Sequence, residues 1–210
     1  MNLTNNAVQG TLPVELQSIN LLESVNLSQN SIKGPLPVQI AKFPALRELF
    51  LRANQLEGQI PTELGSMTLL RDLHLGLNQF TGRIPTQLHQ ATRLRALGLD
   101  KNQLTGAIPN FASLTSLSKL DVIKIMCTVL YCTVLKKFGV DADSNIIPLF
   151  CYLIITRSDV VPALKMPDTY GHLSLLEYLY LDENQLTGTI PGSLGALTDL
   201  KKLYLQSNQL

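Results

Sequence analysis

The chain of 210 residues has no tryptophan, and its three cysteines all fall between positions 127 and 151. A disulfide framework of the kind that holds small secreted domains is therefore excluded for most of its length. Formal charge is only +1, so there is no basic stripe to argue for a nucleic-acid partner. Also missing are a phosphate-cradling glycine loop, H-E-x-x-H and G-x-S-x-G, the spacings that would announce nucleotide, zinc or acyl-transfer chemistry. His74, His89 and His172 stand far apart, without cysteine or carboxylate at ligand spacing. No catalytic residue, metal or cofactor is expected, and the chain does not read as an enzyme. The uncharged apolar runs at 125–135 and 144–156 are shorter than the roughly 20 residues that a membrane helix requires, so no span is expected. Met1 is followed at once by "NLTNNAVQGTLP", which carries no secretory signal.

What the chain does have is a beat. Asparagine follows an LxLxx phrase at Asn6, Asn30, Asn54, Asn78 and Asn102, at intervals of 24 residues, and again at Asn184 and Asn208. A fixed period of this length belongs to stacked repeats, in which each unit buries its apolar face only against its neighbours. In the unit Leu46–Leu69, alternation over Glu48–Arg52 predicts a short strand with Leu49 and Leu51 inward and Glu48, Phe50 and Arg52 outward. Asn54 then stands where the chain must turn, with a donor and an acceptor for backbone groups that the bend leaves unpaired. Gly58 permits a tight backbone, Ile60-Pro61 closes the turn, and Leu64, Met67 and Leu70 fill the space behind.

These units, "LESVNLSQNSIKGPLPVQI", "LRDLHLGLNQFTGRIPTQL", "LRALGLDKNQLTGAIP" and "LEYLYLDENQLTGTIPGSL" among them, resemble the plant-type leucine-rich repeat, LxxLxLxxNxLxGxIPxxLGxLxx. The resemblance implies an α/β-type repeat solenoid, a right-handed superhelix with parallel strands on its concave face. The xGxIP element implies a second small sheet on one flank. Related chains include receptor-like kinases, receptor-like proteins and secreted inhibitors of cell-wall-degrading enzymes. The implied role is a non-enzymatic module that binds a protein or peptide, extracellular or at the cell surface, as part of a membrane-associated parent. The alternative is a structural or adhesive spacer in a wall or matrix.

Three segments are expected: solenoid over 1–122, about five repeats with the first partial; an irregular apolar stretch over 123–165; and solenoid over 166–210, about two repeats with the last partial. The unit that ends at Val122 is one residue short. Beyond it the asparagine slot falls on Ile125 and the next on Val160, 35 residues later rather than 24. The stretch reads as an insertion, as a decayed repeat that still stacks, or as intron sequence read as coding. Its Cys127, Cys132 and Cys151 fit a disulfide or free thiols better than zinc. Met1 opens inside a strand phrase and Leu210 closes just after an asparagine turn. The chain thus reads as a fragment whose uncapped ends invite self-association.

Stacking would place the positions that packing leaves free into columns. One runs Ser24, Glu48, Asp72, Ala96, Lys119, Tyr178, Lys202; the next Asn26, Phe50, His74, Gly98, Asp121, Tyr180, Tyr204; a third Ser28, Arg52, Gly76, Asp100, Ile123, Asp182, Gln206. The candidate ligand face is Glu48, Phe50, Arg52, Asp72, His74, Asp100, Tyr178, Tyr180, Asp182, Lys202 and Tyr204. Its tyrosines read equally as interface anchors and as strand formers that stack across strands. Asp72, Asp100, Asp182 and Glu183 read as solvated strand-end carboxylates, and Arg47, Arg71 and Arg95 as an edge ladder that pairs with Glu48 and Asp72. Two N-x-S/T sequons, Asn2-Leu3-Thr4 and Asn26-Leu27-Ser28, permit glycosylation if the chain is secreted.

Overall fold

A computed structural model describes residues 1–122 and 165–210. The expected strands form around one central aliphatic residue, leucine in all but the first: Ser24–Asn26, Glu48–Phe50, Asp72–His74, Ala96–Gly98, Lys119–Asp121, Tyr178–Tyr180 and Lys202–Tyr204. They line up in chain order as one seven-stranded parallel sheet. The inward leucines Leu49, Leu73, Leu97, Leu120 and Leu179 are fully buried. At roughly 1.5–3 kcal/mol for each buried leucine, this column contributes more than any local propensity could.

The x-G-x-I-P element forms the flanking sheet, five parallel strands at Gln9–Gly10, Ser31–Pro35, Gln55–Gln59, Gln79–Arg83 and Gln103–Thr105. Gly34, Gly58 and Gly82 take φ values of 80°, 78° and 74° there, a backbone that a side chain would strain. Pro61 then sets a φ of −61° before the 3-10 helix Thr62–Ser66, and the same step recurs after Pro37, Pro85, Pro167 and Pro191. Leu64, Met67 and Leu70 pack behind as expected. Neighbouring helices approach so closely at Gly65 that a Cβ would lie 2.2 Å from the Gln87 carbonyl oxygen.

Asparagine is the tie between coils. Asn78 Nδ2 donates to the carbonyls of Leu75 at 3.0 Å and Leu51 at 2.9 Å, while its Oδ1 accepts from the amide of Leu56 at 3.0 Å. Asn54 and Asn102 repeat the arrangement. The residue before each asparagine is left-handed, with φ of 57° at Ala53 and 53° at Leu77. Residue types at this slot vary too much for the sequence to mark it.

The unit that is one residue short has a visible consequence. Lys119 pairs with Ala96 at an interval of 23 residues, and the coil after Pro109 makes turns where its neighbours make a helix. Lys119–Asp121 then pairs directly with Tyr178–Tyr180, 59 residues on instead of 24, which is 35 more (59 − 24). The two are direct neighbours in the sheet. The three cysteines and the three readings of 123–165 concern residues outside those described, Lys165 apart.

Candidate recognition face

The register places the first two expected columns side by side. Ser24, Glu48, Asp72, Ala96, Lys119, Tyr178 and Lys202 are consecutive partners, and so are Asn26, Phe50, His74, Gly98, Asp121, Tyr180 and Tyr204. Alternation leaves these side chains on the side of the sheet away from the leucines.

At the amino-terminal half, the Phe50 ring stacks on His74 with centroids 5.1 Å apart. Gly98 makes this possible: the imidazole Nδ1 lies 3.1 Å from where a Cβ would be. Burial lowers the pKa of His74, with Lys119 and Arg52 adding to the effect and Asp100 opposing it, so the ring is neutral at neutral pH. Burial, then Glu48, raise the pKa of Asp72 against the pull of Arg95 and Arg71.

The third column departs from the reading of solvated carboxylates. Asp100 is 2% exposed and binds Arg52, whose guanidinium reaches across the intervening coil. The reach depends on Gly76, where a Cβ would collide with both groups. Asp182 is likewise buried, its Oδ1 without a hydrogen-bond partner among the described residues. The arginine ladder is also corrected. Arg47 pairs with Glu23 at 3.1 Å rather than with Glu48, and no ion pair forms at Glu48 or Asp72 among the described residues. The pairing follows position, since Glu23 is the residue one coil before Arg47.

At the carboxy-terminal half, Tyr180 packs against Tyr204 at 5.0 Å and against Tyr178 at 6.5 Å. The ammonium of Lys119 stands 5.8 Å from the Tyr180 ring centre, and that of Lys202 stands 5.9 Å from the Tyr178 ring. Contacts of this kind contribute about 0.5–1 kcal/mol each at exposed sites. Lys119 was absent from the expected face, though its place in the first column is the signal that could have included it. Buried Ala96 and Gly98 separate the two clusters.

His89 and His172 lie away from this face, in the helices Thr86–Gln90 and Asp168–His172, and His89 Nδ1 bonds the Thr86 carbonyl oxygen at 2.6 Å. Among the described residues no His/Cys/Asp/Glu group could hold a metal, and no helix is long and apolar enough to cross a membrane.

The leucine rich repeat family matches residues 21–43, 45–67 and 166–210. No curated protein sequence matches the chain. Among solved structures it is similar to one of the Arabidopsis receptor kinase HAESA with the peptide hormone IDA and the co-receptor SERK1, at 28% identity and a TM-score of 0.78. That match covers 99% of this chain and 29% of the other. A structure of the plant peptide hormone receptor RGFR1 with RGF2 is similar at 25% identity and a TM-score of 0.68, over 97% of this chain and 31% of that one. A chain of the BIR3–SERK2 complex from Arabidopsis thaliana is 32% identical with a TM-score of 0.53, over 60% of this chain and 70% of its own length. The chain thus spans less than a third of the first two.

Proposed function

Since the chain belongs to the leucine-rich-repeat family in its plant-type form, we propose that the outward face of its seven-stranded sheet binds a protein or peptide partner. The observation that carries this reading is the tyrosine cluster, Tyr178, Tyr180 and Tyr204, with Lys119 and Lys202 over its rings. Packing does not require aromatics at Tyr178 and Tyr180, because Leu179 on the other side of their strand already fills the core. Rigid aromatic side chains present large area at small entropic cost, which is why they anchor interfaces. The similar HAESA and RGFR1 structures contain peptide hormones, which supports a peptide or protein as the partner class here. In this reading the chain is the non-enzymatic recognition segment of a receptor-like or secreted protein that acts in signalling or defence at the cell surface.

The test is a selection from a displayed peptide library against the full chain. Selected binders should weaken at least about tenfold against the double variant Tyr180→Ala, Tyr204→Ala, since anchor residues carry 2 kcal/mol or more. They should bind Gln87→Ala, on the helix side of the coil, as well as the parent. Binders indifferent to the tyrosines would contradict the proposal and favour a spacer.

A further inference from the structure

The two sequons fall on asparagines unlike the others. In the coil-tying asparagines the side-chain amide is consumed: Asn54, Asn78, Asn102, Asn184 and Asn208 each donate Nδ2 to backbone carbonyls. Two residues beyond each of the first four stands a core side chain, Leu56, Phe80, Leu104 and Leu186, all at 1% exposure or less. A hydroxyl there would sit in the core, so packing keeps the sequon out of this slot. Asn26 has neither constraint. It ends the strand Ser24–Asn26, and its neighbour Val25 is the buried one. Its Oδ1 accepts the Ser28 amide at 3.1 Å, and Nδ2 makes no hydrogen bond among the described residues. Ser28, the hydroxyl of the sequon, is partly exposed in the turn that follows.

We infer that Asn26 is an N-glycosylation site and that its glycan covers the first coils of the sheet's outward face. The inference rests on the cell-surface reading above, since the donor is a lipid-diphosphate-linked oligosaccharide met in the secretory route. The Nδ2 nitrogen bonds the anomeric carbon of that donor and loses one proton. The bond from that carbon to the diphosphate oxygen breaks, and the lipid diphosphate leaves with the electron pair. The fold tolerates the product because the Asn26 Oδ1 bond to Ser28 survives it and Nδ2 gives up no hydrogen bond among the described residues. The first sugar stands beside Phe50, the residue paired with Asn26. A partner's footprint then begins at the Phe50 coil and extends toward Tyr204.

The experiment is secretory expression of the whole 210-residue chain, with peptide mass spectrometry before and after amidase removal of N-glycans. The Asn26 peptide should carry a hexose series in most molecules, lost in Asn26→Gln and Ser28→Ala and retained in Ser28→Thr. Thermal midpoints of the glycosylated chain and Asn26→Gln should agree within a few degrees, and binders selected on the tyrosine face should keep their affinity within about twofold. An unmodified Asn26 peptide in secreted protein overturns the inference and leaves the binding face untouched. A glycosylated chain with a collapsed midpoint overturns the placement. Glycosylation at Asn26 together with binders that ignore the tyrosines upholds the site while the proposed function fails.

Discussion

Replacing Asn78 by alanine isolates the asparagine tie at a buried coil, where Asn78 is 8% exposed. The amide hydrogens of Asn78 serve the carbonyls of Leu51 and Leu75, and a third contact reaches Gly76 at 3.2 Å. Those carbonyls are not orphaned by the change. Leu51 still accepts from Asn54 at 3.1 Å, and Leu75 still accepts from Asn102 at 3.0 Å. The Leu56 amide loses its acceptor outright. Two shared bonds at about 1 kcal/mol each and one orphaned buried donor at about 1–3 kcal/mol give a loss of about 3–5 kcal/mol. Asn78→Asp keeps the acceptor for Leu56 but aims negative charge at carbonyl oxygens, so it should be at least as costly. Asn6→Ala, at the exposed first turn, should cost under about 1 kcal/mol. Denaturant titration measures the loss, and amide exchange locates it, with Leu56 protection falling most. A loss below about 1 kcal/mol with Leu56 still protected would refute the reasoning.

Four further outcomes follow from particular contacts. Gly65→Ala forces a methyl against the Gln87 carbonyl, 2.2 Å from the new carbon, and should cost about 1–3 kcal/mol by calorimetry. Tyr170→Phe should stabilise by about 1–2 kcal/mol, because the fully buried hydroxyl has no hydrogen-bond partner among the described residues and burial already raises its pKa. Arg52→Ala strands the Asp100 carboxylate, 2% exposed, and should cost about 3 kcal/mol in chemical denaturation. Burial holds the folded pKa of His74 below the ordinary histidine value of 6.5, so the unfolded chain binds its proton first as pH falls. Stability tied to His74 is therefore full above about pH 6.5 and lost as pH drops through the lower folded value. Unfolding at pH 7.5 and pH 5 should show a drop that His74→Gln removes.

How much of this was legible in the sequence depends on whether position or reach decides. The strands, both sheets, the inward leucines and the asparagine ties follow from a period that repeats within one chain, so each unit confirms the next. The first two outward columns were also legible, because parallel register between equal units leaves little freedom. Asp100 was misread because its burial depends on the absence of side chains at Gly76, which lets Arg52 pass over a whole coil. That is a contact between residues 48 apart, and no local pattern announces it. The left-handed residue before each asparagine was missed because glutamine, alanine, leucine and lysine all occupy the slot. There the hydrogen-bond geometry of the coil overrides residue preference. The direct pairing of Lys119 with Tyr178 could not be read from a segment whose period is broken.

Hydrogen exchange of the whole chain, with and without a peptide selected against it, tests most directly whether the outward sheet face is where a partner sits. Protection should concentrate in Glu48–Phe50, Tyr178–Tyr180 and Lys202–Tyr204 and spare the helices Thr62–Ser66 and Thr86–Gln90. Protection confined to those helices, with the three strands unchanged, would contradict the account.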